Sequence, residues 1–333
     1  MKKQTYKLVV IVFFTSLLLL MGSCAENAET NSQDDTNKTE ESGDTPESDR
    51  LTFSFNHPET EQTFKIIHAY KLYENYEERE LNNPDENDLE LYKQEVIEPI
   101  YDDCFSGSAF PYSEEEISTL AESANKFEFI QGIADKIDSE KVNRLIEDAL
   151  IRSTNLLSSD TNKTVCIFPA TSLIQSSMME TLGPENIIVY HDGLLNGDIL
   201  QAGIAHEYQH SVMFERTFNR FAELTVLDYI IDEGKAVMFE KMLYPESNFT
   251  TVNYSYNNAY WSKVEPYLYK VDYTRASEIL FGGNGLPEYY GYSEGYKIVK
   301  SFLELNPDVT VEQWTNLTAK KIYEEGRYVD NYN

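Results

Sequence analysis

The sequence predicts an α+β protein, mainly helical, with a small mixed sheet just ahead of its most informative helix. Three observations carry this. Two β-branched, apolar runs, Lys163–Pro169 (K-T-V-C-I-F-P) and Asn186–Tyr190 (N-I-I-V-Y), read as strands. The stretches on either side place apolar residues at helical spacing. The helix expected over about Asp198–Thr217 contains His206-Glu207-Tyr208-Gln209-His210, the pattern H-E-x-x-H.

The first residues read as a targeting segment. Lys2, Lys3 and Lys7 precede an apolar run, Leu8–Leu20, that is short for a spanning helix. It ends in Met21-Gly22-Ser23-Cys24, small residues before a cysteine, which resembles the bacterial lipobox. Residues 1–23 are therefore expected to be a lipoprotein signal peptide, with Cys24 the lipidated first residue of the mature chain. Two acyl chains on one cysteine suit stable anchoring. The expected location is the extracytoplasmic face of the cell membrane.

Residues 24–50 are rich in Asn, Ser, Thr, Asp and Glu and hold no aromatic residue. Such a segment cannot bury enough surface to offset its chain entropy, and it reads as a disordered acidic tether. Residues 51–160 read as a helical N-terminal part. Leu51–Phe55 alternates like a strand, Gln62–Tyr76 and Asp88–Ile100 have helical patterns, and Ser113 opens another helix with Glu114–Glu116 in its first turn. Interrupted helical periodicity then runs to about Leu157. Residues 161–333 hold the two strands, the H-E-x-x-H helix, a helix expected over Phe221–Leu243, a Tyr-rich segment and a helix expected over Gly295–Leu305.

Charge excludes some partners. The chain carries −30. Three lysines lie in the first seven residues, and 25–50 has nine acids against two bases, so residues 51–333 carry about −26. Nucleic-acid binding needs a basic face, and so does docking on anionic lipid. No nucleic-acid partner is expected. Beyond Cys24 the chain has only Cys104 and Cys166. An oxidising compartment permits a bridge between them, but sequence alone does not place their Cα atoms.

H-E-x-x-H on a helix puts two imidazoles on one face, four residues apart, where both can bind one Zn²⁺ while the carboxylate between them reaches a water. Only five histidines occur in the chain, and this motif uses two. A catalytic zinc site needs a third protein ligand. Glu233, 23 positions beyond His210 in Ile231-Asp232-Glu233-Gly234-Lys235-Ala236, is the best placed; Asp232 and then Asp228 are the alternatives. Gly234 and Ala236 would allow close helix approach. Tyr208 points roughly 200° from His206 around the helix and reads as structural.

These residues resemble a known group. H-E-Y-x-H followed by a helix bearing E-G-x-A looks like the gluzincin metallopeptidases, and more narrowly like a bacterial family of unknown function known as predicted Zn-dependent proteases. The C-I-F-P and N-I-I-V-Y runs and Gly291-Tyr292-Ser293-Glu294-Gly295-Tyr296-Lys297-Ile298-Val299 are also similar to that family, so the resemblance covers roughly Lys163–Asn306. It implies a zincin-like fold, zinc ligands at His206, His210 and Glu233, and a general base at Glu207. Lys235 departs from the group's usual apolar residue. Two positions from Glu233, about 200° around the helix, it should point away from the metal.

The function expected is a membrane-anchored, extracytoplasmic zinc metallopeptidase acting on a peptide or protein substrate. Glu207 would take a proton from water that zinc activates and pass it to the leaving amine. The oxyanion needs a further donor; Tyr292, and after it Tyr296, are the candidates, while His191 could also face the cleft but reads by default as a loop histidine. The alternative is a lipoprotein that binds metal or peptide on this scaffold without turnover.

Overall fold

The computed structural model describes residues 50–106, 127–170, 178–217 and 223–332. The expected signal peptide, Cys24, nearly all of the tether and the helix start at Ser113 with Glu114–Glu116 lie outside the described residues.

Five strands form one mixed sheet in the order β1-β2-β3-β5-β4. β1 (Thr52–Asn56) pairs antiparallel with β2 (Thr63–Ile67), which runs parallel to β3 (Lys163–Pro169). β3 runs parallel to β5 (Asn186–His191), and the short β4 (Met179–Thr181) lies antiparallel along the outer edge of β5. The strand expectations hold at β1, β3 and β5, and the protein is mainly helical with a small mixed sheet.

One expected element fails outright. Gln62–Tyr76 is not a single helix: its first part is β2, followed by a 3₁₀ turn at Ala69–Leu72 and then α1 (Tyr73–Asn82). The sheet is buried on both faces, so β2 presents Phe64 and Ile66 to one core and Ile67 to the other. An apolar run filling both faces loses its period-two signature and can imitate a helix. β3 and β5 show the same alternation. Val165, Ile167, Ile187 and Val189 face one core, and Cys166, Phe168, Ile188 and Tyr190 the other.

The second core is closed by α1, α2 (Asp88–Tyr92) and α3 (Tyr101–Cys104), with a π turn and a 3₁₀ turn between the last two around Pro99. Cys104 and Cys166 are bridged, with Cα atoms 6.0 Å apart, which fastens α3 to β3 on this face. α4 (Phe127–Ala134) precedes α5 (Ser139–Leu156), whose Asp138 cap accepts from the Lys141 N–H at 3.0 Å.

The first core joins the sheet to the long helices. α6 (Gly197–Thr217) carries the H-E-x-x-H, and α7 (Val226–Leu243) follows it. α7 starts at Val226, later than expected from Phe221, because Thr225 and Asp228 form a reciprocal capping box that fixes the helix start. Residues 221–222 lie outside the described set. Beyond α8 (Asn258–Trp261) and α9 (Tyr273–Phe281) comes α10 (Tyr290–Leu305), which begins five residues before the expected Gly295 and so takes Tyr292 into its first turn. α11 (Val311–Thr315) and α12 (Ala319–Glu325) complete the helical layer. Among the described residues no helix is long and apolar enough to cross a membrane.

Candidate metal centre

α6 is held against the sheet by small residues. A Cβ on Gly203, one turn before His206, would lie 2.5 Å from the Met179 sulfur on β4 and 2.9 Å from the Phe249 ring. Glycine lets the helix settle onto the edge strand. Tyr208 points into the core, its hydroxyl donating to the Leu157 carbonyl at 2.8 Å and its ring stacked on Phe239. The opposite face of the same turn presents His206 and His210.

Their Nε2 atoms lie 3.1 Å apart. Glu233 Oε2, from α7, is 3.3 Å from His210 Nε2 and 3.5 Å from His206 Nε2. Among the described residues this is the one group of three or more such side chains whose ligand atoms gather so closely, all within 4.8 Å. Glu240, seven residues and two turns beyond Glu233, faces only the earlier histidine: its Oε2 is 3.5 Å from His206 Nδ1. α7 therefore runs back along α6, which explains how a residue distant in sequence completes the cluster.

The donor set suits zinc in kind and spacing. Ligand bonds of about 2.0–2.1 Å in tetrahedral geometry give ligand–ligand separations of roughly 3.3 Å. The three observed edges, 3.1, 3.3 and 3.5 Å, bracket that value. At 3.1 Å the two imidazole nitrogens must share a cation between them, either a proton in an N–H···N bond or a metal ion. The electrostatics agree. Burial resists charge on His206, but the nearby carboxylates of Glu233 and Glu240 and the charge of Glu207 outweigh it and push its pKa up to about 10. Burial likewise resists ionisation of Glu233, yet the two histidines hold it down to about 2. The pocket stabilises positive charge at the point where the three donors meet.

Glu207 is buried beside this cluster. Thr181 Oγ1, on β4, lies 2.8 Å from both the Glu207 carbonyl oxygen and its Oε2, so its single proton serves one acceptor at a time. The base candidate is thereby tied to the edge of the sheet.

Tyr292 enters from α10. Its ring lies 6.4 Å from that of His206 and nearly parallel to it. Burial, then the charges of Glu233 and Glu207, push the phenol well above its usual range, and a hydrogen bond with Glu233 adds to this. It stays a proton donor at neutral pH. Glycine makes this approach possible. A Cβ on Gly234 would lie 2.2 Å from the Gly295 carbonyl carbon, and one on Gly295 would lie 2.1 Å from the Ile230 carbonyl oxygen. α7 and α10 touch backbone to backbone, which sets Tyr292 beside Glu233.

Other sequence-flagged residues fall elsewhere. Tyr296, one turn beyond Tyr292, packs on Tyr254 at 6.0 Å. His191 is not on a loop but is the last residue of β5, paired with Pro169, with Nδ1 accepting from the Gly193 N–H at 2.9 Å. Asp228 accepts from the Thr225 N–H and hydroxyl in the α7 cap. Asp232 stays outside the cluster, and burial raises its pKa to about 6 although Lys235 opposes this. Lys235 points away from the histidines and is fully buried, its Nζ donating to the Thr315 and Leu317 carbonyls at 3.0 and 2.9 Å. Sequence reasoning did not find Glu240 or Thr181. Glu240 had a signal, since it shares a helix face with Glu233; Thr181 had none, because only the fold brings β4 to Glu207.

Residues 142–324 match the family described as Predicted Zn-dependent protease (DUF2268). No curated protein and no solved structure matches the chain.

Proposed function

The chain belongs to this family of predicted zinc-dependent proteases, and from that premise we propose that it is a zinc metallopeptidase with His206, His210 and Glu233 as ligands and Glu207 as general base. The observation that carries the reading is the triangle of donor atoms at 3.1, 3.3 and 3.5 Å, with a buried carboxylate on the residue after its first ligand. A zinc ion bound there would supply Lewis acidity, lowering the pKa of a water and polarising a carbonyl.

The chain's own groups do the rest. Glu207 accepts the proton of the attacking water and returns it to the leaving nitrogen. When Thr181 donates to Oε2 it steadies that carboxylate oxygen, which leaves Oε1 to face the water. Tyr292, kept protonated by the carboxylates around it, donates a hydrogen bond to the carbonyl oxygen as charge develops on it. Glu240 orients His206 through Nδ1. A peptide fits as substrate because β4 is an edge strand beside the base, with no further strand outside it among the described residues. An extended chain can add there by backbone pairing.

The setting is proposed from sequence. The basic, apolar leader and Cys24 suit export and lipid anchoring, and the acidic stretch after them would hold the enzyme off the membrane. The direct test is hydrolysis of a mixed peptide library by the zinc-loaded protein, followed by chelation and zinc restoration. Loss on chelation and recovery with zinc are expected. A zinc-loaded protein that cleaves no peptide would make it a metal-binding protein without turnover.

A further inference from the structure

The aromatic side chains beside Tyr292 extend further than the metal centre requires. The Tyr292 ring lies 5.8 Å from that of Tyr289 and 6.1 Å from that of Phe281, and these two lie 6.4 Å apart. Tyr289 is 43% exposed and Phe281 39%. A continuous path of rings therefore leads from buried His206 through Tyr292 to solvent.

The backbone that presents these rings is unusual. Tyr289 has φ +53°, in the left-handed region that bulky side chains rarely enter. Such outliers persist where the surroundings fix them, and they gather at ligand sites. Here the surroundings are firm. Gly282 has φ +90°, and a Cβ there would meet the Pro287 carbonyl oxygen at 2.6 Å. Lys263 Nζ donates to the Gly285 carbonyl at 3.0 Å, Asn284 donates to Glu278 at 2.7 Å, and Leu286 is buried beneath the loop. For packing alone, a glycine or asparagine at 289 would close the loop without strain. A half-exposed tyrosine in that conformation returns little as core, but it gives a rigid apolar face needing no ordering when a ligand arrives.

We propose that Tyr289 and Phe281, with the ring of Tyr292, form a subsite for an apolar or aromatic side chain of the peptide substrate. This rests on the peptidase reading above. The occupant is apolar because the rings meet edge to face or tilted, not stacked, and Tyr289 and Phe281 stay 43% and 39% exposed, so they offer aromatic surface to it. No cation is stacked on Tyr289 or Phe281 among the described residues. The subsite continues directly from the metal centre, since each ring is about one side-chain width from the next. The residue it holds lies within about three or four positions of the cleaved bond, at about 3.4 Å of extended chain per residue.

The test uses peptides identical except for one scanned position carrying Phe, Leu, Lys or Asp. Cleavage is measured with the zinc-loaded wild type, and binding with the Glu207→Gln variant. At one position Phe and Leu should exceed Lys and Asp by about tenfold or more in kcat/KM and in affinity. Tyr289→Gly should reduce that preference about fivefold through KM, with zinc content unchanged. Its thermal midpoint should stay the same or rise, because glycine suits the left-handed backbone. Phe281→Ala should reduce the preference as well. The proposal is overturned if both variants keep the wild-type preference, if Lys is preferred, or if Tyr289→Gly lowers the midpoint while leaving selectivity intact. If no peptide is cleaved, the peptidase reading fails, and the affinities measured on Glu207→Gln with and without Tyr289→Gly still decide the subsite.

Discussion

His206 Nδ1 faces Glu240 Oε2 at 3.5 Å, and neither atom has a hydrogen-bond partner in normal range among the described residues. Glu240 is fully buried, and its other oxygen accepts from the Thr250 N–H at 3.2 Å and pairs with Lys241 at 2.9 Å. If His206 is a ligand, as proposed, a buried carboxylate aimed at its far nitrogen would favour the tautomer that leaves Nε2 to bind metal.

Glu240→Ala is therefore expected to weaken zinc binding by about 10–100-fold, and Glu240→Gln, which keeps the shape and loses the charge, by less. Competition against a chromophoric chelator measures both. Wild-type affinity in both variants would remove Glu240 from the site.

The contact of Gly234 with Gly295 makes a second prediction. Gly295→Ala puts a methyl group 2.1 Å from the Ile230 carbonyl oxygen, so α7 and α10 must separate. Overpacking of this kind costs about 1–3 kcal/mol. It should also move Tyr292 away from Glu233, so that kcat falls more than the stability loss explains. Thermal unfolding and kinetics on the same sample compare the two effects.

Tyr292→Phe keeps the ring against His206 and removes only the hydroxyl. Loss of one oxyanion donor costs about 10²–10³ in kcat. Zinc content and thermal midpoint should match the wild type. A variant with unchanged kcat would make Tyr292 a packing residue, and the donor would have to be sought elsewhere.

Stability in acid should depend on His68. Burial first, then the charge of Lys71, lowers its pKa to about 4, while its Nε2 is 2.9 Å from Asn143 Oδ1. The unfolded chain, with a pKa near 6.5, binds the proton more readily. Stability from this group is thus complete above about pH 6.5 and is lost as pH falls toward 4, by up to ~3 kcal/mol. His68→Gln should flatten the unfolding free energy between pH 6.5 and 4 relative to wild type. A parallel pH profile in the variant would place the acid sensitivity at other residues.

The legible parts of this protein were those written in local pattern. The spacing of His206 and His210 and the β-branched runs of β3 and β5 act through neighbours in sequence. β2 was hidden because Phe64, Ile66 and Ile67 fill two cores at once, which erases the alternation of a half-buried strand. The bridge between Cys104 and Cys166 depends on how α3 packs on the sheet, and nothing local encodes that. Thr181 and Tyr289 meet the site only through tertiary structure. α10 starts ahead of the sequence expectation because Tyr289 precedes it in a left-handed conformation that its residue type does not announce.

The central claim is that Glu207 is a base beside a metal that other residues hold. Elemental analysis and peptide hydrolysis on wild type and Glu207→Gln, prepared side by side, test it most directly. One zinc per chain is predicted in both proteins, with hydrolysis in the variant reduced by about 10²–10⁴-fold. Equal hydrolysis by the two proteins, or wild type that retains no zinc, would contradict it.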